Sequence, residues 1–376
     1  MSAAGVHGFL ERLWYEEHSL APALLPLSWA YRAAVGLRRF GYRVGALRRH
    51  RLPVPVIVVG GLVVGGTGKT PLTAWLSEFF GRHGYRPGIA TRGYRGRARS
   101  WPQRAFPGSD PRMVGDEAVL LAQRSPHPVA ADPNRARAAR SLVERCGCNL
   151  ILCDDGLQHL ALERDLEIVV VDGQRRYGNC YCLPAGPLRE PLSRLARADM
   201  IVANGRCKHG EFPMRCLPAP LRSLLDPLQR SPLKDWVGRR VHAVAGIAGP
   251  GRFFSLLRRA GLQILEHPLP DHHRYRARDI RFADNLPVIM TEKDAVKCYP
   301  YADARHWCLP LQVVMGPAFQ HRLLRLLNTA RGAREGEEDA APLSRRERQG
   351  RVEVHSMPGG CGVASPSSPT FRLEKI

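Results

Sequence analysis

Residues 64–71 constrain the fold of this chain more than any other part of its sequence. They read Val-Gly-Gly-Thr-Gly-Lys-Thr-Pro, follow an apolar run over residues 54–59, and precede a predicted helix over residues 72–80. A strand, a glycine-rich turn, Lys-Thr and a helix form the layout of a phosphate-binding P-loop. The backbone N–H groups of such a turn converge on phosphate oxygens, and the helix N-terminus favours anions. The sequence therefore predicts a nucleoside triphosphate site, with Lys69 on the phosphates and Thr70 on Mg²⁺.

The turn departs from the usual P-loop pattern at one position, because Val63 stands where that pattern has its first glycine. The element is then a compact Gly-Gly-x-Gly-Lys-Thr variant. A tight structural connection is the alternative, but Lys-Thr after three glycines between a strand and a helix favours nucleotide binding. The residues expected to hold the nucleotide are Gly65, Gly66, Thr67, Gly68, Lys69 and Thr70.

The charge balance favours anionic partners. The 376 residues carry 56 Lys plus Arg against 34 Asp plus Glu, a formal net charge of +22. Nucleic acid, an acidic membrane surface and phosphorylated substrates all suit such a chain, and charge alone does not choose among them. No aromatic-rich RNA-binding motif or helicase motif series is present, so a nucleic-acid partner is not expected.

The ten cysteines do not indicate a metal site. The pairs Cys146/Cys148 and Cys180/Cys182 lack the two-residue spacing of zinc knuckles and redox dithiols. We interpret the cysteines as reduced thiols in a cytosolic compartment. The adjacent His272 and His273 are not expected to bind zinc, because neighbouring residues do not share a helix face.

Residues 1–52 are predicted to form an N-terminal amphipathic, membrane-associating helical segment. Large apolar residues, two of them Trp, alternate there with arginines, a composition typical of helices that lie in a bilayer surface. A helical hairpin packed on the protein core is the alternative, and the two are compatible. No run of 18 uncharged apolar residues occurs, so a transmembrane helix is not expected, and neither is a cleavable signal peptide.

The remaining chain divides into three predicted parts. Residues 53–205 alternate strand and helix signals, with strands predicted at 55–60, 87–91, 149–154, 166–172 and 200–204. Short apolar strands alternating with helices predict an α/β fold, a P-loop core with a largely parallel sheet covered on both faces. Residues 206–329 are predicted to form a smaller C-terminal α/β domain, with strands at 241–245, 287–291 and 312–315. Residues 330–376 lack periodicity and are predicted to be a disordered tail.

A second set of chemical groups follows the strand predicted at 149–154. Asp154 and Asp155 stand at its end, where an acid in a P-loop protein orders Mg²⁺ or its waters. A simple Asx turn is the alternative. Gln158 and His159 extend the polar cluster beyond the end of the strand, where ligands bind in open α/β sheets.

A further acidic pair, Asp116 and Glu117, opens a predicted helix. Carboxylates favour helix starts, so Asp116 could be only an N-cap. The pair gains interest because phosphoryl transfer to a hydroxyl needs a group that orients or deprotonates the acceptor.

Together these motifs closely resemble the tetraacyldisaccharide 4′-kinase family, the lipid A kinases of Gram-negative bacteria. The resemblance covers residues 10–327. It rests on the ordered motifs at residues 65–71, 92–94, 114–117, 154–159, 184–191, 271–272 and 291–295. It implies transfer of the ATP γ-phosphoryl group to the 4′-hydroxyl of a tetraacyldisaccharide 1-phosphate, forming lipid IVA, at the cytoplasmic face of the inner membrane. It also implies a P-loop core and a smaller domain joined by a hinge.

The resemblance assigns roles residue by residue. Asp116 would be the base acting on the sugar hydroxyl, with His272 as its partner and Lys69 on the phosphates. Mg²⁺ and its surroundings would involve Thr70, Glu117, Asp154 and Asp155. The disaccharide site would be lined by Gln158, His159, Arg189 and Glu190, with Arg135 meeting a substrate phosphate. Gly61 and Arg95 depart from the residues that many relatives carry, Asn and Gly, which puts the substrate contacts there in question.

Two other functions remain possible from the residues alone. The Gly-Gly-x-Gly-Lys-Thr turn is also typical of switch ATPases that control partner assembly, although these often carry a lysine where Val64 stands. A nucleic-acid-dependent ATPase is the second. The lipid kinase is preferred, with ATP and Mg²⁺ as cofactors, the acylated disaccharide and an anionic membrane surface as partners, and a monomeric state.

Overall fold

The computed structural model describes residues 11–16 and 20–339 of the chain. Residues 11–15 form a short helix. The other α-helices are α1 Leu20–Ala23, α2 Leu25–Arg43, α3 Lys69–Arg82, α4 Pro111–Val114, α5 Asp116–Arg124, α6 Arg135–Cys146, α7 Gly251–Arg259, α8 Glu292–Cys298 and α9 Pro317–Asp339. The strands are β1 Val56–Gly60, β2 Pro87–Thr91, β3 Gln103–Ala105, β4 Val129–Ala131, β5 Leu150–Asp154, β6 Leu166–Asp172, β7 Met200–Asn204, β8 Phe212–Pro218, β9 Leu221–Ser223, β10 Arg230–Ser231, β11 Arg240–Ala245, β12 Gln263–Pro268, β13 Val288–Thr291, β14 His306–Leu309 and β15 Leu311–Met315.

The larger sheet is mostly parallel, as the alternating strand and helix signals predict. Within the described residues it has nine strands in the order β15-β8-β7-β6-β1-β5-β2-β4-β3. The strands from β8 to β4 run parallel, and only the edge strands β15 and β3 are antiparallel. Strand β1, which leads into the P-loop, therefore lies between β5 and β6 near the centre. Because β1 and β5 are parallel, the glycine turn after β1 and the end of β5 lie at the carboxyl ends of the strands, on the same side of the sheet.

Helices cover both faces of this sheet. Alternate residues of β1 point to opposite faces, so Ile57 packs with the apolar residues of α3, while Val58 packs with those of α6. Helix α6 starts where the Asn134 side chain accepts the Arg137 N–H at 3.2 Å, and it ends at Gly147 in the left-handed region. This burial explains why the central strands are continuous apolar runs.

A smaller sheet follows in the chain. In the described part it has six strands in the order β10-β9-β14-β13-β11-β12. Helix α7 packs on one face through Phe253, Phe254 and Leu257, and α8 packs on the other through Ala295 and Cys298. Both sheets belong to a compact unit that ends at Arg331, and the division into domains at residue 205 stays a prediction.

One predicted strand lies in the other sheet. Residues 312–315 were assigned to the smaller domain, but β15 pairs antiparallel with β8 at the edge of the larger sheet. The reason is apolar packing: Val313 and Met315 join the core cluster that includes α3. Phe319 of the following helix contacts Trp75 of α3, with ring centroids 5.9 Å apart.

The tail prediction is wrong over its first residues. Helix α9 continues through residues 330–339, a stretch that includes Ala, Arg and Glu, which are good helix formers. Residues 340–376, and residues 1–10 and 17–19 of the predicted N-terminal segment, lie outside the described residues.

Helix α2 is amphipathic, but the polar groups of Ser28 and Tyr31 face the protein and several large apolar side chains face outward. Its inner face makes side-chain hydrogen bonds to the backbone of residues 182 and 189. Ser28 Oγ donates to the Cys182 carbonyl at 2.8 Å, and Tyr31 Oη donates to the Arg189 carbonyl at 2.9 Å. The opposite face exposes Trp29 and Leu37, which are 60% and 72% accessible. In the part of the chain that the structure describes, no helix is both long and apolar enough to cross a bilayer.

Candidate active site

The glycine turn packs tightly against the strand ends behind it. Gly65 and Gly68 have φ values of 111° and 102°, in the region that favours glycine. A Cβ on Gly68 would lie 2.7 Å from Met214 Cε. Asn204 Nδ2 donates to the Thr67 carbonyl at 3.3 Å, which fixes the turn from outside. The backbone of the loop is therefore held in one conformation.

Two polar groups of the turn, the Thr67 hydroxyl and the Lys69 ammonium, fit a bound anion. The Thr67 hydroxyl is buried and has no hydrogen-bond partner among the described residues. A buried hydroxyl without a partner is costly, so a bound group that pairs with it would be stabilised. Lys69 Nζ donates to the Gly65 carbonyl at 3.2 Å and lies 3.6 Å from Asp155 Oδ1. These features fit a cradle for phosphate oxygens.

The packing of Gly68 leads to a testable prediction. Replacing Gly68 by alanine should lower the free energy of unfolding by about 1–3 kcal/mol, because the new Cβ meets Met214 and φ lies in a strained region. Nucleotide affinity should fall as well, since the turn must shift. Urea unfolding and binding of a fluorescent ATP analogue measure the two effects.

Gly66→Ala provides the matched control for this change. A Cβ at Gly66 would meet no described atom within 4 Å, so its free energy of unfolding should stay within about 0.5 kcal/mol of wild type. Equal destabilisation by both variants would contradict the packing argument.

Asp154, the last residue of β5, accepts hydrogen bonds from side chains at the start of α3. Its two carboxylate oxygens accept the hydroxyls of Thr70 at 3.1 Å and Thr73 at 2.9 Å. Burial, with the nearby charges of Glu117 and Asp155, raises the pKa of Asp154 to about 7. Crowded carboxylates of this kind repel one another and are stabilised by a cation.

The oxygen groups here fit Mg²⁺. Hydroxyl and carboxylate oxygens are the donors that Mg²⁺ prefers, and Mg²⁺ usually binds one or two carboxylates together with substrate phosphates. In the described residues, no group of three acidic, His or Cys side chains could hold a metal alone. Thr70 and Asp154, with Glu117 near, therefore fit an ion that the nucleotide phosphates help to bind.

Asp155 begins a network toward the predicted substrate side. Arg189 Nη1 lies 3.1 and 3.0 Å from its two oxygens, and 3.4 Å from Gln158 Oε1. Burial alone would raise the pKa of Asp155, but the charges of Lys69 and Arg189 hold it below its usual range. Asp155 has a φ of 46°, an uncommon conformation that the surrounding contacts stabilise.

Glu190 lies deeper than its neighbours in this network. It is 2% exposed, and its Oε1 accepts from Gln158 Nε2 at 3.1 Å. Its Oε2 lies 3.4 Å from both Arg39 of α2 and Arg194. Glu190 thus joins helix α2 to the amide of Gln158.

Arg135 and His159 form a basic corner beside the end of β5. Arg135 is 3% exposed and donates to the Asp154 carbonyl at 3.4 Å, while its Nε and Nη1 have no hydrogen-bond partner in the described chain. Burial lowers the pKa of Arg135 and also lowers the pKa of His159 to about 3, aided by Arg135 and Arg92. The imidazole is therefore neutral, and the corner carries unpaired N–H donors suited to an anion.

Asp116 and His272 contact each other across a gap of 156 residues in sequence. His272 Nδ1 lies 3.0 Å from Asp116 Oδ2. Burial would raise the pKa of Asp116, but the bonds to His272 and the charge of Lys293 lower it to about 2. Asp116 is thus a buried, ionised carboxylate. The pairing expected from the resemblance is present in this conformation.

Residues of the motif at 92–94 pack against Gly115 and His272, two neighbours of Asp116. A Cβ on Gly115 would lie 2.8 Å from the Tyr94 carbonyl, so only glycine fits directly before Asp116. The Tyr94 ring meets the His272 ring edge-on, with centroids 5.0 Å apart. Arg95, one of the departures from the family pattern, donates to the His272 carbonyl at 3.0 Å. A Cβ at Gly61, the other departure, would make only ordinary contacts, the nearest at 3.5 Å.

Sequence reasoning gave no role to two residues that the structure places in the site. Thr73 binds Asp154, and a threonine one turn after Thr70 is the only sequence signal for it. Lys293 lies within 3.2 Å of His272 Nε2. Its motif was part of the resemblance, but nothing in the sequence connects it to His272.

Comparisons with known proteins agree on one family. The family model for tetraacyldisaccharide-1-P 4′-kinase matches residues 20–328. The tetraacyldisaccharide 4′-kinase of Nitrosococcus oceani is 49% identical over 319 residues, which cover 85% of this chain and 94% of that protein. The one from Alkalilimnicola ehrlichii is 52% identical over 304 residues, covering 81% and 91%. The crystal structure of an "apo" form LpxK from Aquifex aeolicus in complex with ATP is similar with a TM-score of 0.69 at 28% identity, covering 83% of this chain and 99% of that one.

Proposed function

The chain belongs to the tetraacyldisaccharide 4′-kinase family and is a kinase of that type, and we propose that Asp116, Lys69 and the groups around them carry out its reaction. The γ-phosphoryl group of ATP passes to the 4′-hydroxyl of tetraacyldisaccharide 1-phosphate, and the product is lipid IVA. One observation carries the assignment of residues: the buried Asp116 is ionised and bonded to His272.

Asp116 acts on the acceptor. Its carboxylate accepts the proton of the 4′-hydroxyl as the sugar oxygen bonds to the γ-phosphorus and the bond to the ADP oxygen breaks. A positioned base of this kind contributes about 10²–10⁴-fold to the rate. His272 holds the carboxylate in its orientation through the 3.0 Å bond.

The P-loop side binds ATP and neutralises its charge. Gly65–Gly68 supply backbone N–H groups, and Lys69 leaves Asp155 to contact the β- and γ-phosphates. Mg²⁺ would be held by Thr70 and Asp154, with Glu117 and Asp155 around it, and would supply charge neutralisation on the phosphates. Such positioning and electrostatic stabilisation provide most of the catalysis in phosphoryl transfer.

The disaccharide binds beside Asp155. Gln158 and Arg189 contact it directly, Glu190 orients Gln158, and Arg135 with the neutral His159 meets a phosphate. Arg39 and Arg194, which lie 3.4 Å from Glu190, line a cavity of about 780 Å³. Its walls combine apolar side chains, which suit acyl chains, with basic and acidic ones, and include Phe40, Leu160, Leu162, Arg39, Arg164, Arg197, Glu163 and Glu167.

Helix α2 contacts the membrane that holds the substrate. The exposed apolar side chains Trp29, Leu37 and Phe40 lie on one stripe of the helix, and Val44, its C-cap residue, continues that stripe at a spacing of four residues. A substrate with four acyl chains stays in a bilayer, so the enzyme must reach its surface. The cytoplasmic face of the inner membrane provides both the anionic lipid and ATP.

Transfer of radiolabelled γ-phosphate tests this function. The full chain is incubated with ATP, Mg²⁺ and tetraacyldisaccharide 1-phosphate in mixed micelles, beside an acceptor whose 4′-hydroxyl is methylated. Labelled lipid with the first acceptor and none with the second is expected. ATP hydrolysis without labelled lipid would overturn the assignment and favour a switch ATPase.

Membrane contact by α2 gives a separate prediction. Leu37→Ser with Val44→Ser should reduce binding to phosphatidylglycerol vesicles by roughly 10²-fold, since each large apolar side chain contributes about 1.5 kcal/mol when buried. Both side chains are more than half exposed, so stability should not change. Vesicle sedimentation measures the effect.

The chain offers a matched control far from α2 in sequence. Leu228 and Val237 are exposed to a similar or greater degree, 90% and 61%, and their replacement by serine should leave vesicle binding intact. If both double variants bind vesicles equally well, α2 is not the contact.

A further inference from the structure

Lys293 occupies a fixed position at the start of helix α8. Thr291 caps the helix, and its side chain accepts the Asp294 N–H. Asp294 is fully buried, and its Oδ2 accepts the Gly246 N–H at 2.9 Å at the end of β11. Because the first turn of α8 is anchored in this way, the direction of the Lys293 side chain is set by the fold.

The Lys293 ammonium lies among hydrogen-bond acceptors of three side chains. Its Nζ is 3.2 Å from His272 Nε2, and 3.5 Å from both Glu117 Oε1 and Asp271 Oδ1. Glu117 and Asp271 form ion pairs with this ammonium, which favours its charged form. Lys293 therefore keeps its charge and offers only N–H donors.

This contact decides which nitrogen of His272 carries the proton. Facing an ammonium group, Nε2 must accept, so the proton lies on Nδ1 and is donated to Asp116 Oδ2 at 3.0 Å. A proton on Nε2 would point at Lys293, and its alternative acceptor, Asp271 Oδ2, is 3.8 Å away, beyond hydrogen-bond distance. An imidazolium would meet the same conflict.

We propose that Lys293 is a positioning residue that keeps the proton of His272 on Nδ1 and so fixes the orientation of Asp116. This inference rests on the proposed role of Asp116 as the base. With Nδ1 protonated and Nε2 occupied by Lys293, His272 has no lone pair for the substrate proton. The proton of the 4′-hydroxyl therefore goes to Asp116, whose Oδ1 already accepts the Glu117 N–H at 3.1 Å.

The tautomer can be measured without any turnover. The full chain is labelled with ¹⁵N-histidine, and the His272 signals are assigned by comparison with His272→Asn. Wild type should show the chemical shifts of a neutral imidazole protonated on Nδ1. Lys293→Met, which keeps the apolar stem but removes the donor, should shift His272 toward the Nε2-protonated form or to imidazolium.

Lys297→Met is the matched control for this measurement. Lys297 lies one turn further along α8, pairs with Asp294 at 3.1 Å and does not bond to His272. This variant should retain the Nδ1 tautomer, as should Lys293→Arg, which keeps a cationic donor. Retention of the Nδ1 tautomer in Lys293→Met would overturn the proposal, whether or not the enzyme phosphorylates lipid.

Kinetics provide a second measurement. Lys293→Met should lower kcat roughly 10²-fold while KM for ATP changes less than about two-fold, because the carboxylate is misoriented and the P-loop is untouched. The expected loss is smaller than the roughly 10⁴-fold effect of losing the tautomer-holding Asp of a Ser-His-Asp triad. Lys293→Arg should recover most of the loss. Equal losses in both variants, with an unchanged tautomer, would assign Lys293 a purely structural role.

Discussion

Replacing Lys69 by methionine is expected to lower kcat for phosphoryl transfer by roughly 10²–10³-fold, the usual cost of removing one preorganised charge donor. Lys69 opens α3, its side chain is about nine-tenths buried, and its Nζ lies 3.2 Å from the Gly65 carbonyl. Charge develops on the phosphate oxygens during transfer, and a cation held there stabilises it most in the transition state. Methionine keeps most of the apolar stem of the side chain and removes the ammonium group.

The measurement separates chemistry from folding and binding. Single-turnover transfer to the lipid acceptor gives the chemical step, a fluorescent ATP analogue gives affinity, and urea unfolding gives stability. Loss of the ion pair with Asp155, 3.6 Å away, leaves that carboxylate with Arg189 as a partner, so the fold should survive. A Lys69→Met variant that transfers phosphate within threefold of wild type would contradict the role of Lys69.

Asp116→Asn should reduce kcat by about 10²–10⁴-fold, the range for a positioned general base, and leave ATP binding intact. Asparagine keeps the shape of the side chain and can still pair with His272, so the loss reports the proton acceptor rather than packing. The ionised state of Asp116, with its pKa lowered to about 2, means that wild-type activity should not titrate with this group above pH 4.

Asp110→Asn is the control for Asp116→Asn, because Asp110 is another carboxylate at the start of a helix. Asp110 caps α4, where its Oδ1 accepts the Arg112 N–H at 2.8 Å, and asparagine caps helices equally well. Its kcat should match that of wild type. If Asp116→Asn also matched wild type, Asp116 would serve only the start of α5, where Gly115 is the N-cap and Asp116 Oδ1 accepts the Glu117 N–H.

Local sequence predicted the strand, the glycine turn and the helix around residues 64–71. The run from β1 through the turn into α3 is contiguous, so its apolar period, its glycines and its Lys-Thr pair report directly on local structure. Asp154 was placed at the end of a strand for the same reason. Its bonds to Thr70 and Thr73 follow because β1 and β5 are neighbouring parallel strands.

Long-range pairing was harder to predict. The strand predicted at 312–315 is present as β15, but its sheet was not predicted, because an apolar alternation does not say which edge strand it will pair with. The packing of Val313 and Phe319 against the core with α3 decided that question. The helix over residues 330–339 was also missed, since composition typical of a tail includes good helix formers.

The sequence by itself determined the α/β class, the phosphate-binding turn and the acids at strand and helix starts, because each depends on residues adjacent in the chain. Only the tertiary structure decided that His272 meets Asp116 and that Lys293 meets His272. Those contacts depend on how α8 and the loop after β12 pack against α5, and on hydrogen-bond distances near 3 Å. Spacing in a sequence does not fix such distances, because they result from the packing of whole sheets and helices.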